Sequence, residues 1–113
     1  QLVINAYRRN IVRKRVLEEW HHLQTTFTHS DAAALPMQAE ELTQEILSAI
    51  ESLPPRRREI FEKSRLEGMS YDQIAVEMAI SRNTVEVQMV KALSFLRRRL
   101  SHFCFLLLML TFS

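Results

Sequence analysis

Apolar residues return every three or four positions along almost the whole chain, the mark of helices that each bury one stripe, and β-branched alternation is nowhere sustained. The sharpest instance starts at Ser70. Ser70 can cap a short helix, and Gln73 stands three residues on, so that two orphan backbone donors are satisfied reciprocally. Ile74, Ala75 and Met78 then form one stripe about two turns long. Ala79, Ile80 and Ser81 interrupt the pattern, with Ile80 placed to plug a gap between two helices. Ser81 suits the N-cap of a longer helix whose buried side reads Val85, Met89, Ala92, Leu93, Leu96 and Leu100. Its polar side carries Arg82, Asn83, Glu86, Gln88 and Lys91, with Val87 among them.

The pattern upstream gives three more helices. Residues 1–24 place Val3, Ala6, Tyr7, Ile11, Val16, Trp20 and Leu23 near helical spacing, interleaved with Arg8, Arg9, Arg13, Lys14 and Arg15. This basic helix either touches nucleic acid or presents a solvated face. Residues 25–39 have no clear period and collect Thr, Ser, Asp and Pro, as a linker does. From Glu40 to Leu53 the buried set is Leu42, Ile46, Leu47, Ile50 and Leu53, with Glu40, Glu41, Glu45 and Glu51 outside and Pro54 as the stop. That acidic helix is a support, or meets a basic protein surface. Pro55 opens the next helix, which runs through Ile60, Phe61 and Leu66 to a glycine stop at Gly68.

Arg56, Arg57 and Arg58 crowd the first turn of that helix, where the dipole disfavours positive charge by about 0.3–1 kcal/mol each. A phosphate backbone would favour them there; the other reading is a solubilising cap.

With one Gly and three Pro in 113 residues, the composition agrees with an all-α chain. Its length suits one domain, or one with an appendage. The net charge of +2 hides an uneven distribution: residues 1–24 carry +3, residues 25–53 carry −5 and residues 54–100 carry +4. Cys104 has no partner for an internal disulfide and no signal peptide opens the chain, so a reducing cytoplasm is the expected location. Cys104 sits in an apolar run and is expected to be a buried thiol.

No nucleophile and base stand at catalytic spacing and there is no phosphate-cradling glycine loop, so an enzyme is not expected. His21, His22 and His29 lack a carboxylate or cysteine at ligand spacing, so neither metal nor cofactor is expected. Arg, Asn, Gln and Lys at the start of an exposed helix are instead the side chains that reach base edges and phosphates in a major groove.

The segments EGMSYDQIAVEMAISRNTVEVQMVKALSFLRRRL and, before it, LPPRRREIF resemble region 4 of the sigma-70 class of bacterial transcription initiation factors. More narrowly they are similar to the extracytoplasmic-function group in its FecI-like form, over about Glu41 to Leu100. The opening QLVINAYRRNIVRKRV looks like the last helix of region 2 in the same family, and a start at Gln1 without Met reads as a fragment.

The resemblance implies four parts: 1–24 a remnant of region 2, 25–39 a linker, 40–100 a four-helix region 4 with a C-terminal helix-turn-helix, and 101–113 an apolar tail. It implies a specificity subunit that docks on the β flap of RNA polymerase core and lays its second helix at the promoter −35 element. The DNA-contacting set it suggests is Arg82, Asn83, Thr84, Glu86, Val87, Gln88 and Lys91, with Arg58, Ser70 and Tyr71. Arg82 and Lys91 would anchor phosphates, Asn83, Glu86 and Gln88 would discriminate, and Val87 could meet a thymine methyl.

The family usually has Gly where this chain has Ala79. A left-handed conformation there costs Ala about 1 kcal/mol over Gly.

Separated from the rest of region 2, Trp20 and its neighbours are expected to dock elsewhere, a second copy of the chain being one candidate. Past Leu100, eight apolar residues run from Phe103 to Leu110, too few to span a membrane. The preferred reading extends the preceding helix over its own core; a partner surface and a membrane face are the others. Inhibitory anti-sigma proteins bind such regions in the family, which makes one a candidate partner. The competing functions are a GerE-type helix-turn-helix regulator and a helical protein-interaction module.

Overall fold

The stripes of the sequence become helices wherever a cap or a proline fixes an end. The structure, a computed structural model, describes residues 2–26 and 39–112. Among these are six helices and no strand: α1 (Leu2–Thr26), α2 (Ala39–Glu51), α3 (Pro55–Arg65), α4 (Tyr71–Met78), α5 (Arg82–Arg99) and α6 (His102–Phe112). The fold is therefore all-α. Thr25 and Thr26 complete α1, and residues 27–38, the body of the expected linker, lie outside the described residues together with His29.

The acidic helix α2 buries the expected set, Leu42, Ile46, Leu47, Ile50 and Leu53, and Pro54 ends the helical run. Pro55 occupies the first turn of α3, where its missing N–H costs nothing. Ile60 and Phe61 are fully buried on α3, each side chain worth about 1.5–3 kcal/mol of burial. After α3 the chain reverses through Gly68 at φ 71, and the Met69 N–H donates to the Lys63 carbonyl at 3.0 Å. Helix α5 then packs Val85, Met89, Ala92 and Leu96 against α3 and α4.

Two expectations are corrected at the ends of the chain. Among the described side chains of α1, Val12, Val16 and Trp20 are buried, whereas Tyr7 is 64% exposed, Ala6 is exposed and Ile11 is half-buried; Val3 and Leu23 lie outside the described side chains. The spacing of four between Val12, Val16 and Trp20 makes a narrow seam that follows α1 along α2 and α6. Trp20 thus docks within its own chain. The basic and acidic helices also meet there: Arg9 bonds Glu51 at 2.6 Å, and Arg13 grips both oxygens of Glu40 at 2.6 and 2.7 Å. These surface pairs orient α1, and the apolar seam supplies the attraction.

The second correction concerns the tail, which does not prolong α5. Leu100 turns extended at φ −90, ψ 152, and Ser101 caps a new helix, its hydroxyl accepting from the Cys104 N–H at 3.2 Å. The reversal lets α6 fold back over α1 and α2 and bury Cys104, Leu107 and Leu108. Glu45, only half outside, accepts from the Ser101 N–H at 3.4 Å and from its hydroxyl at 3.2 Å. No helix among the described residues is long and apolar enough to cross a membrane.

Candidate nucleic-acid interface

Local chemistry sets the α4–α5 unit. The Ser70 hydroxyl accepts from the Gln73 N–H at 3.1 Å while the Gln73 side chain accepts from the Ser70 N–H at 2.9 Å, a complete capping box. Ala79 closes α4 in the left-handed region at φ 55, ψ 46, and the Ile80 N–H donates back to the Ala75 carbonyl at 3.0 Å. The strain expected for Ala at this corner is present. Ile80 packs half-buried against the core. Ser81 starts α5, its hydroxyl accepting from the Thr84 N–H at 3.0 Å and lying 2.8 Å from the Thr84 hydroxyl. Lys63 on α3 bonds Glu77 on α4 at 2.8 Å, and that bond holds its ammonium pKa above the ordinary lysine value.

Successive α5 residues turn by about 100°, so a buried face at Val85, Met89, Ala92 and Leu96 forces Asn83, Val87 and Val90 outward. Arg82, Asn83, Glu86, Val87 and Lys91 are exposed, and Thr84 and Gln88 are half-buried. The terminal helix does not cover this face; α6 lies chiefly against α1 and α2.

The flanks of α5 differ. On the α4 side, Arg82 Nη1 lies 3.0 Å from Asp72 and its Nε donates to Glu86 at 3.2 Å. Its guanidinium also stands 5.7 Å from the ring centroid of Tyr71, within cation–π range. The Asp72 bond first, and then that of Glu86, raises the Arg82 pKa above its ordinary value. On the α3 side, Arg57 Nε donates to the Gln88 side-chain oxygen at 2.9 Å.

The residues singled out by sequence are therefore dispersed in role. Arg82, Asn83, Glu86 and Val87 share the open N-terminal part of α5, and Ser70 and Tyr71 lie at the start of α4 beside it. Lys91 lines a groove with Arg57, Val90, Ser94, Phe95 and Arg98. Arg58 is elsewhere: it borders a small cavity with Arg9, Glu51 and Glu62, lined by α1, α2 and α3 and by no residue of α4 or α5. Of the three arginines it is Arg57 that reaches α5, a distinction no spacing rule could make among adjacent residues. Among the described residues no group of three or more His, Cys, Asp or Glu side chains could hold a metal ion.

A short capped helix, a left-handed corner and a second helix with its polar side outward define a helix-turn-helix unit. Residues 43–96 match the family model described as sigma-70, region 4. The match supports a sigma-70 region 4 domain in this segment, which runs from α2 almost to the end of α5; the matched family is a DNA-binding domain of transcription proteins. No curated protein and no solved structure matches the chain.

Proposed function

We propose that this chain is the promoter-reading part of a sigma factor of the extracytoplasmic-function, FecI-like type, working in the cytoplasm. In this reading α5 enters the major groove of the −35 element, and RNA polymerase core, engaged through its β flap, performs the chemistry. The observation that carries it is the open N-terminal half of α5, with Arg82, Asn83, Glu86 and Val87 all exposed on a helix anchored by a buried seam. A recognition helix reads with just that portion.

The roles follow from chemistry. Asn83 donates and accepts at a base edge; Glu86 accepts from a cytosine amino group; Val87 packs on a thymine methyl. Arg82 exchanges a carboxylate for a phosphate, and Ser70, Tyr71 and Thr84 border the backbone. Glu86 keeps its carboxylate compensated by Arg82 at 3.2 Å, which reduces its repulsion from the duplex.

Titrating a labelled −35 duplex with the protein over a salt series tests the reading. A single small domain touching few phosphates should bind weakly, with affinity falling steeply as salt rises and a preference for one sequence over its scramble. Salt-independent binding, or none, would overturn it. Retention on core polymerase separates a sigma factor from a GerE-type regulator.

A further inference from the structure

Four cations of the chain are paired with carboxylates: Arg9 with Glu51, Arg13 with Glu40, Lys63 with Glu77, and Arg82 with Asp72 and Glu86. The groove on the α3 side of α5 is different. Arg57, Lys91 and Arg98 line it around Val90 and Phe95, and among the described residues none of the three meets a carboxylate. Arg98 is bonded to the Ser94 hydroxyl at 3.0 Å and Arg57 to the Gln88 amide oxygen at 2.9 Å, both neutral acceptors.

The Arg57 contact fixes the chemistry of Gln88. An Nε–H can only donate, so the atom facing it must be the amide oxygen and not its nitrogen. Reading adenine requires Gln to offer both that oxygen and its NH2 group to one base. Gln88 is half-buried on the flank of α5 with that oxygen already engaged by Arg57, so reading a base would require it to share or give up this bond.

A neutral acceptor has a second consequence. It orients the guanidinium through Nε while leaving its two terminal amino groups, and its full positive charge, for something outside the protein. A carboxylate in the same place would orient Arg57 equally well and cancel its charge.

Resting on the DNA-reading function above, we propose that Gln88 is a positioning residue for Arg57 and not a base reader, and that Arg57, with Lys91 and Arg98, grips the phosphate strand flanking the groove that α5 enters. The shape agrees: the cations form one edge along α5 and the first turn of α3, where a strand passing beside an inserted helix must run.

The test is a double-mutant cycle on the full chain, with Gln88→Ala, Arg57→Ala and both together, titrated with the −35 duplex and with single-base-pair variants over a salt series. Arg57→Ala is expected to weaken binding to every duplex alike and to reduce the slope of log affinity on log salt by about 0.9. Gln88→Ala should weaken binding several-fold without changing base preference, and should add nothing to Arg57→Ala. Gln88→Glu keeps an acceptor for Arg57, so the melting temperature should hold while affinity and salt slope both fall.

Additive losses in the double variant, a base preference that moves with Gln88→Ala, or wild-type affinity in Gln88→Glu would each overturn the pairing while leaving the DNA-reading function intact. Wild-type protein that shows no salt-sensitive duplex binding would overturn both.

Discussion

Arg82 at the start of α5 reaches back across the helix-turn-helix corner to Asp72 in the first turn of α4, with 3.0 Å between Nη1 and Oδ1. The same guanidinium bonds Glu86 one turn on and stands against Tyr71. On the proposed function, Asp72 holds with a carboxylate the place a DNA phosphate would take, and binding would displace it. Both side chains are solvent-exposed, so the exchange involves little desolvation.

Arg82→Ala is expected to weaken duplex binding while leaving the melting temperature nearly unchanged, because only surface pairs are lost. Asp72→Asn should do the reverse to binding: with the competing carboxylate removed, affinity rises for specific and scrambled duplexes together. Anisotropy titrations with parallel thermal melts check both. Normal affinity in Arg82→Ala would remove it from the interface.

Val85 is fully buried where α5 meets the other helices. Val85→Asp places a carboxylate there without a partner, a mechanism that costs more than about 4 kcal/mol and should abolish the cooperative fold. Far-ultraviolet circular dichroism should show lost helicity, and an unchanged melting curve would contradict the placement of Val85.

Ala79 holds φ 55 with a Cβ that disfavours it. Ala79→Gly should stabilise the domain by up to about 1 kcal/mol, seen as a rise in the denaturation midpoint, with DNA affinity unaltered. A lower midpoint would mean that the corner is not left-handed in solution.

The Glu45 carboxyl is held below its ordinary pKa by hydrogen bonding with the Cys104 thiol first, then the Ser101 N–H and hydroxyl, with the Arg99 charge adding to them. A depressed carboxyl pKa means that the folded form binds its proton less readily than the unfolded chain. The stabilisation is thus complete above the unfolded value near 4.5 and disappears as pH falls through the lower folded value. Glu45→Gln should flatten that part of the acid denaturation curve. Burial pushes the neighbouring Cys104 thiol up to about 12, so it stays protonated at neutral pH. Alkylation of Cys104 should therefore track the opening of α6, and rapid labelling of folded protein would contradict the docked tail.

Much of this fold is legible in the sequence because its local signals agree. Ser70 with Gln73, Ser81, Pro55 and Gly68 mark helix ends through interactions within a few residues, and the stripes of α2 and α5 each have one apolar side. On α1, apolar residues occur on several sides of a long helix, so period alone does not choose between a face holding Tyr7 and one holding Val12. The choice is made by α2 and α6, remote in sequence. The break after Leu100 was likewise hidden, since Ser101 looks like any helical serine until Glu45, 56 positions away, meets its N–H and hydroxyl. At the interface, the exposed side of α5 follows from its period, whereas the Arg57–Gln88 bond spans 31 residues and depends on how α3 crosses α5.

The claim on which the rest depends is that the open side of α5 meets duplex DNA. Titrating the 15N-labelled chain with a −35 duplex and following amide resonances tests it most directly. Shifts are expected to concentrate at Arg82, Asn83, Glu86 and Val87, with a second group at Arg57 and Lys91 and little change at Val12, Val16 or Leu107. Shifts confined to α1 or α6, with the Arg82–Lys91 amides unmoved at saturation, would contradict it.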